Sequence, residues 1–469
     1  MTVDFPSPNG AIDYDVIVLG GGAPGEHCAA ALAARGLRVA VVERELVGGE
    51  CSYWACIPSK SLLRPGEAAY GAREAGSQAT VDVGAVLAWR DFMVSNYSDA
   101  GQQRWLAEHG IDLIRGSGRL AGTGVVEVDG VRHTAGHVVL ATGSTPIVPS
   151  IAGLADLEGV WGTREATAMT AVPRRLLVLG AGSAGVELAQ VVRRLGGEVV
   201  LIAGGDRILP REPAPVGEAL GEALRRDGIE LVLGRRAMAA RRDGDEYVLT
   251  FDDGSEARGD RLLVATGRRP RVEGVGLETV GVEADPRGIR VDDHLRAGDR
   301  LWAIGDVNGI WPLTHVGEYE GDVVAANIAG EPQRANYEAV PRVTYTDPQA
   351  AAVGAIEAKY VVSTPISAVP KMATYTHSYA DATGFLALLS DGDRLTGAYA
   401  VGPEAGEWLQ QATLAIRARI PLAVLDDTIQ PFPSFSEIYN AAVKELRMMI
   451  ADKPRPIRPM DAQMASLPA

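Results

Sequence analysis

The chain has 469 residues, 46% hydrophobic and 22% charged, with a formal net charge of −15 at pH 7. It is too long for one core and predicts roughly two to four domains of ordinary soluble composition. The acidic balance excludes nonspecific nucleic-acid binding, which needs a basic surface.

The cysteine count is 3, too few for a secreted disulfide framework in so long a chain. The N-terminal MTVDFPSPNGAIDYD lacks the basic and apolar regions of a signal peptide. No apolar stretch reaches the ~18 residues of a membrane span. The expectation is a cytoplasmic enzyme with neither a membrane nor a nucleic-acid partner, and with no metal site.

Residues 14–44 read YDVIVLGGGAPGEHCAAALAARGLRVAVVER. A buried strand, Val16 to Leu19, runs into Gly20-x-Gly22-x-x-Gly25, and an alanine-rich helix follows. A second apolar strand, Val39 to Val42, ends at Glu43. This is a βαβ dinucleotide fingerprint in its proper setting. The glycines allow a tight turn and a close approach of backbone to pyrophosphate at the helix N-terminus, and Glu43 is placed to accept from ribose hydroxyls.

The pattern recurs at residues 174–203, RRLLVLGAGSAGVELAQVVRRLGGEVVLIA, with Gly180, Gly182 and Gly185. The step from Gly25 to Glu43 lands, from Gly185, on Ala203, so the second unit lacks the ribose-binding acid. Two further copies match. Ala141-Thr142-Gly143 follows the strand HVVL, and Ala265-Thr266-Gly267 follows RLLV. An internal duplication carrying two dinucleotides implies electron transfer between them, and the usual pair is FAD and NAD(P)H.

Between the two units lies GGECSYWACIPSK, Gly48 to Lys60, with Cys51 and Cys56 five positions apart. On an ideal helix such residues lie about 140° apart. A disulfide needs Cβ atoms within roughly 4.5 Å, so the segment must be distorted if the pair bonds. Pro58 and the preceding glycines agree with that. Cys28, on the first helix, is expected to pack in the core. Tyr53 and Trp54 are bulky, and the sequence leaves open whether they narrow the approach to the cysteines or simply pack.

These features together resemble the pyridine nucleotide-disulfide oxidoreductases, over nearly the whole chain. The resemblance rests on both fingerprints, on GGECSYWACIPSK and on both Ala-Thr-Gly turns. It also rests on Gly305-Asp306, Leu313-Thr314-His315, Glu320-Gly321, Thr346-Asp347-Pro348, Gly384-Phe385 and the stretch Gly397 to Glu407. It implies an α/β fold with two Rossmann-like domains, for FAD and NAD(P), and an α+β C-terminal dimerisation domain. The implied layout is 1–149 with 268–335 for FAD, 150–267 for NAD(P), and 336–469 for dimerisation, in a homodimer whose sites use both chains.

The same resemblance implies residue roles. Gly20, Gly22, Gly25 and Glu43 would bind the ADP half of FAD, and Asp306 the ribityl or phosphate region. Cys56 would lie against the isoalloxazine, and Cys51 would be the interchange thiol. Lys60 would sit near flavin N5, paired with Glu187. Thr142, Gly143, Gly267, Gly305, Leu313, Thr314 and His315 are further cofactor-binding positions. Gly180, Gly182, Gly185 and Arg207 would serve the nicotinamide nucleotide. With Ala203 where an acid would repel a 2′-phosphate, NADPH is slightly favoured over NADH.

The chain departs from the family at its C-terminus. Members that reduce dithiol substrates end with His-x-His-Pro-Thr-x-Ser-Glu, supplied by the partner subunit. Here the stretch is Gln430-Pro431-Phe432-Pro433-Ser434-Phe435-Ser436-Glu437, and no histidine follows His377. Phenylalanine cannot move a proton, and general acid–base help is worth about 10²- to 10⁴-fold. The tail, expected to be extended after about residue 452, has no cysteine pair, and no metal-binding domain precedes the first fingerprint, so mercury reduction is not expected.

The leading expectation is therefore an NAD(P)H-dependent flavoprotein reductase passing electrons through Cys51–Cys56 to a small acceptor: a quinone, a metal ion, oxygen or a small disulfide. One alternative is a dihydrolipoamide dehydrogenase-like enzyme using Glu437 as proton carrier. The other is a non-catalytic FAD-binding redox sensor.

Overall fold

The computed structural model describes residues 12–451. The expectations about the first eleven residues and about the extended tail lie outside the described residues. The chain divides into two compact units. One comprises Met1–Gly66, Val81–Gly204 and Arg235–Asn336; the other comprises Glu67–Thr80, Gly205–Gly234 and Tyr337–Ala469.

The first unit is built on an eight-stranded sheet. Its parallel centre runs Leu301–Ala303, Val131–Leu140, Tyr14–Leu19, Val39–Glu43, Ile111–Arg115. Successive strand side chains point to opposite faces, and both faces are covered here, so these strands read as continuous apolar runs. Val16 and Val18 pack with Cys28, Leu32 and Val323 on one side. Ile17 and Leu19 pack with Leu120 and Val126 on the other. Cys28 is fully buried, as expected. It sits where the helix Thr314–Ile328 crosses the first fingerprint helix, Ala23–Ala33. A Cβ on Gly321 would stand only 3.1 Å from that of Cys28, which is why the Glu320-Gly321 pair carries a glycine.

The second fingerprint forms its own parallel sheet in the same unit, Glu198–Ala203 beside Arg175–Leu179 beside Arg261–Val264. The two Ala-Thr-Gly turns meet. Ser144–Pro146 pairs antiparallel with Arg268–Pro270, so the two crossings between sheets run side by side. Thr142 Oγ1 donates to the Arg271 carbonyl and Thr266 Oγ1 to the Ile147 carbonyl, each at 2.8 Å. The repeat in the sequence is thus a repeat in structure.

The second unit centres on a five-stranded antiparallel sheet, ordered Arg342–Thr344, Gln349–Gly354, Leu395–Gly402, Phe385–Ser390, Tyr360–Pro365. Helices Gln410–Arg417 and Ile438–Ile450 supply Ala412, Ile416, Ala442 and Leu446 to its core. Among the described residues no helix is long and apolar enough to cross a membrane.

Candidate active site

A cavity of about 370 Å³ lies within the first unit. Gly20, Gly22 and Glu43 line one part of it, and Thr142, Gly143, Gly305 and Asp306 another. Cys51, Cys56 and Thr314 also line it, with Ala184 from the second fingerprint helix, Ser183–Arg194.

The glycines explain how backbone is left free to face this space. A Cβ on Gly20 would fall 2.3 Å from the Ala141 carbonyl oxygen, and one on Gly25 would fall 2.0 Å from that of Gly20. Gly22, at the N-cap of Ala23–Ala33, would meet nothing within 4 Å. An open backbone at a helix N-terminus favours a pyrophosphate. Glu43 is held at the end of its strand by Gly21 N–H at 2.8 Å and Glu45 N–H at 2.7 Å. These residues fit the dinucleotide half of FAD. The second fingerprint repeats the pattern: Cβ atoms on Gly180 and Gly185 would fall 2.3 Å from Ala265 O and 2.0 Å from Gly180 O, and Gly182 again meets nothing.

The cysteine segment is distorted as its spacing requires. A short helix, Gly49–Tyr53, carries Cys51 and stops at Trp54, whose φ of −135° and ψ of 1° are not helical. A new helix, Cys56–Glu74, starts at the second cysteine. The preceding turn uses Gly48 (φ 109°) and Gly49 (φ 60°), and Gly49 lies so close to Gly22 that a Cβ would come within 2.8 Å of its Cα. Both sulfurs are half-buried free thiols, hydrogen-bonded to each other.

That contact splits their acidities. Cys56 is lowered to about 6, first by the hydrogen bond from Cys51, then by Thr314 and Lys60, against burial. Cys51 is pushed up by the same hydrogen bond and by burial. Thr314 Oγ1 lies 3.5 Å from Cys56 Sγ. One turn past Cys56, Lys60 Nζ pairs with Glu187 Oε2 at 2.7 Å, bringing the cysteine helix onto the second fingerprint helix.

Asp306 accepts from the Ser144 hydroxyl, which itself accepts from Arg268 Nε at 2.7 Å. The Gly305 N–H and Asn308 Nδ2 both donate to Glu320, which is wholly buried. This explains the Glu320 of the sequence pattern: it fixes the Gly305-Asp306 turn. Leu313 and His315 flank Thr314 at the start of its helix but do not line the cavity, and His315 is exposed. Gly267 closes the second Ala-Thr-Gly turn at φ 119°.

Arg207 and Glu437 lie in the second unit. Arg207 Nη2 donates to the Pro210 carbonyl. Glu437 Oε2 accepts from Ser434 N–H at 3.1 Å, closing a capping box over Phe435–Glu437. Phe432 stands 75% exposed.

Several cavity residues had no part in the sequence reading: Glu45, Arg164, Arg268, Arg271 and Glu273; Glu50 stood in the cysteine motif without a role. The basic run after the second Ala-Thr-Gly turn, Arg268-Arg269-Pro270-Arg271, was a usable signal. Arg164 gives none. Of the two bulky residues between the cysteines, Tyr53 is buried at 1% exposure and Trp54 lines the cavity.

The sequence model described as pyridine nucleotide-disulphide oxidoreductase matches residues 14–321, and that of the family's dimerisation domain matches residues 340–443. The chain belongs to the pyridine nucleotide-disulphide oxidoreductase family. It is 37% identical over 456 residues to a dihydrolipoyl dehydrogenase of Thermus scotoductus, covering 92% of this chain and 97% of that protein. It is 33% identical over 456 residues to a mercuric reductase of Bacillus cereus, covering 92% and 72%. Among solved structures, LpdA from Mycobacterium tuberculosis superposes with a TM-score of 0.81 at 26% identity, covering 92% of this chain and 99% of that one. The protein is an FAD-dependent oxidoreductase that uses a pyridine nucleotide, and Cys51 and Cys56 are its redox-active pair.

Proposed function

We propose that the enzyme oxidises a reduced nicotinamide nucleotide, NADPH in slight preference to NADH, and delivers the electrons through Cys51–Cys56 to a small acceptor that needs little help with protons. A quinone, a metal ion, oxygen or a low-pKa small disulfide meets that description. The observation that carries this is Phe432, exposed and unable to move a proton, at the position where dithiol-reducing members hold their histidine. FAD bound in the cavity would supply the two-electron link between nicotinamide and disulfide.

The chain's own residues would do the rest. Gly20, Gly22 and Gly25 hold the pyrophosphate, Glu43 the ribose, and Asp306 with Thr142 and Gly143 the remaining polar groups. Cys56 would supply the thiolate that works with the flavin, stabilised by the thiol of Cys51 and the hydroxyl of Thr314. Lys60, oriented by Glu187, places a positive charge beside it. Gly180, Gly182 and Gly185 would take the nicotinamide nucleotide. Residues 1–149 with 268–335, 150–267 and 336–469 serve as FAD, NAD(P) and dimerisation domains of a cytoplasmic homodimer.

A second reading is a dihydrolipoamide dehydrogenase-like enzyme in which Glu437 carries the proton. Its support is the retained and well-held Glu437 and the similarity to a dihydrolipoyl dehydrogenase. Steady-state assays with lipoamide, glutathione disulfide and a quinone, each with both nicotinamides, separate the two. Turnover with the quinone far above that with lipoamide supports the first reading. Lipoamide turnover matching or exceeding it overturns the first reading in favour of the second.

A further inference from the structure

The link between the cysteines is held from outside by one short helix. Arg164, on the helix Thr163–Thr167, donates through Nε and Nη2 to Glu50, the residue before Cys51, and through Nη2 to Glu45 at 2.9 Å. Its guanidinium also lies over the ring of Trp54, 4.1 Å from the centroid. Thr167 Oγ1, one turn on, shares its one proton between the Thr163 carbonyl at 2.9 Å, the Trp54 carbonyl at 3.1 Å and the Arg164 carbonyl at 3.2 Å. One turn of helix therefore meets Trp54, where the helix breaks between Cys51 and Cys56, through two contacts, and the acids Glu45 and Glu50 before Cys51 through Arg164.

That helix is itself pinned. Arg90, 2% exposed, donates to the Thr167 carbonyl and to that of Met169, the latter at 2.9 Å. The Trp54 ring is further met by Tyr97, stacked at 6.4 Å. Tyr97 closes a run of three non-glycine residues, Ser95, Asn96 and Tyr97, with φ of 51°, 50° and 59°. Side chains rarely accept that left-handed backbone, and the strain is held where an aromatic ring is delivered to Trp54.

We propose that Arg164 is a positioning residue for the redox pair: by clamping Glu50 and Trp54 it keeps the two sulfurs within bonding reach of each other in the dithiol form. This rests on the redox role of the pair. Reduction breaks one sulfur–sulfur bond and takes up two electrons, which come from the nicotinamide through FAD, and two protons to reach the dithiol. A clamp that holds the dithiol closed raises the effective concentration of one sulfur at the other and so favours the disulfide. Loosening it makes the disulfide a stronger oxidant. It also weakens the hydrogen bond by which Cys51 stabilises the Cys56 thiolate.

The clamp uses features that only arginine combines, a planar fork for Glu50 and a flat cation for the indole. Trp54→Phe keeps a ring beneath the guanidinium, whereas Trp54→Ala does not.

The test uses the FAD-loaded enzyme equilibrated in dithiothreitol redox buffers, with thiol labelling to read the cysteine couple and absorbance to read the flavin couple. Arg164→Gln and Trp54→Ala are expected to shift the thiol equilibrium at least tenfold towards dithiol, about 30 mV for this two-electron couple. The flavin couple is expected to move by much less than the thiol couple, and the thiolate band to appear at higher pH. Trp54→Phe is expected to recover most of the wild-type value. Unshifted thiol potentials in both Arg164→Gln and Trp54→Ala overturn the proposal, as does an equal shift of both couples, which would mean that Arg164 acts on the flavin. If Arg164→Gln does not fold, Trp54→Ala against Trp54→Phe decides by the same criteria. A wild type whose cysteines take up no electrons overturns the redox role itself, and the proposal with it.

Discussion

Lys60 Nζ lies 2.7 Å from Glu187 Oε2, with the glutamate side chain 5% exposed and the lysine 35%. The pair is therefore asymmetric. Lys60→Met leaves a buried carboxylate without this cation, whereas Glu187→Gln leaves an ammonium that water still reaches. Losing the partner of a buried charge costs about 3–5 kcal/mol, and that of an exposed one about 0–1. Urea unfolding should show Lys60→Met to be the more destabilised, by on the order of 2 kcal/mol. Equal losses would mean that the carboxylate finds other compensation.

The acidity of Cys56 gives a pH dependence. Its thiol is lowered to about 6, mainly by the hydrogen bond from Cys51. In the two-electron-reduced enzyme the long-wavelength band of thiolate against flavin should grow as pH rises through about 6 and vanish below it. Thr314→Val removes a donor to the charged sulfur, worth about 1–2 kcal/mol, and should move the midpoint up by roughly 1 unit. A midpoint that stays put would show that the 3.5 Å contact does not stabilise the thiolate.

Phe432→His combined with Gln430→His should raise kcat/KM towards lipoamide or glutathione disulfide by about 10²-fold or more, the ordinary worth of a positioned acid–base group. Glu437 is already held against Ser434 N–H and is available to orient a restored imidazole. A double variant with normal FAD content and no gain with any disulfide would show that the missing histidine does not limit that chemistry.

At the end of the strand Glu198–Ala203, Ala203 stands where an acid would repel a 2′-phosphate. Ala203→Glu should lower kcat/KM for NADPH by about tenfold or more relative to NADH, given charge-assisted contacts of about 1.5–3 kcal/mol. A wild type that already prefers NADH tenfold, or a variant whose preference does not move, contradicts the assignment of that position.

What the sequence revealed and what it hid divide on physical grounds. Gly20 and Gly25 were legible because only glycine fits where a Cβ would strike a carbonyl, and the same collision recurs at Gly180 and Gly185. Cys28 was legible because a helix face fixes what lies on it, and Glu187 through the family resemblance. The need for a break between Cys51 and Cys56 followed from helix geometry, but not its place at Trp54. Arg164 on Trp54 and Glu50 was invisible, since a contact between residues so far apart in the chain leaves no period and no motif. Arg271, whose N–H donates to the Gly143 carbonyl at 2.9 Å, entered the cavity in the same way, through the pairing of two crossings.

The central claim is that Cys51 and Cys56 form a second two-electron store beside FAD. Anaerobic titration of the FAD-loaded enzyme with dithionite counts the electrons directly. The expected uptake is about four per FAD, two for the flavin and two for one disulfide, with the thiolate band appearing midway and absent from Cys56→Ser. Uptake that ends at two electrons, with no band at any stage, would contradict it.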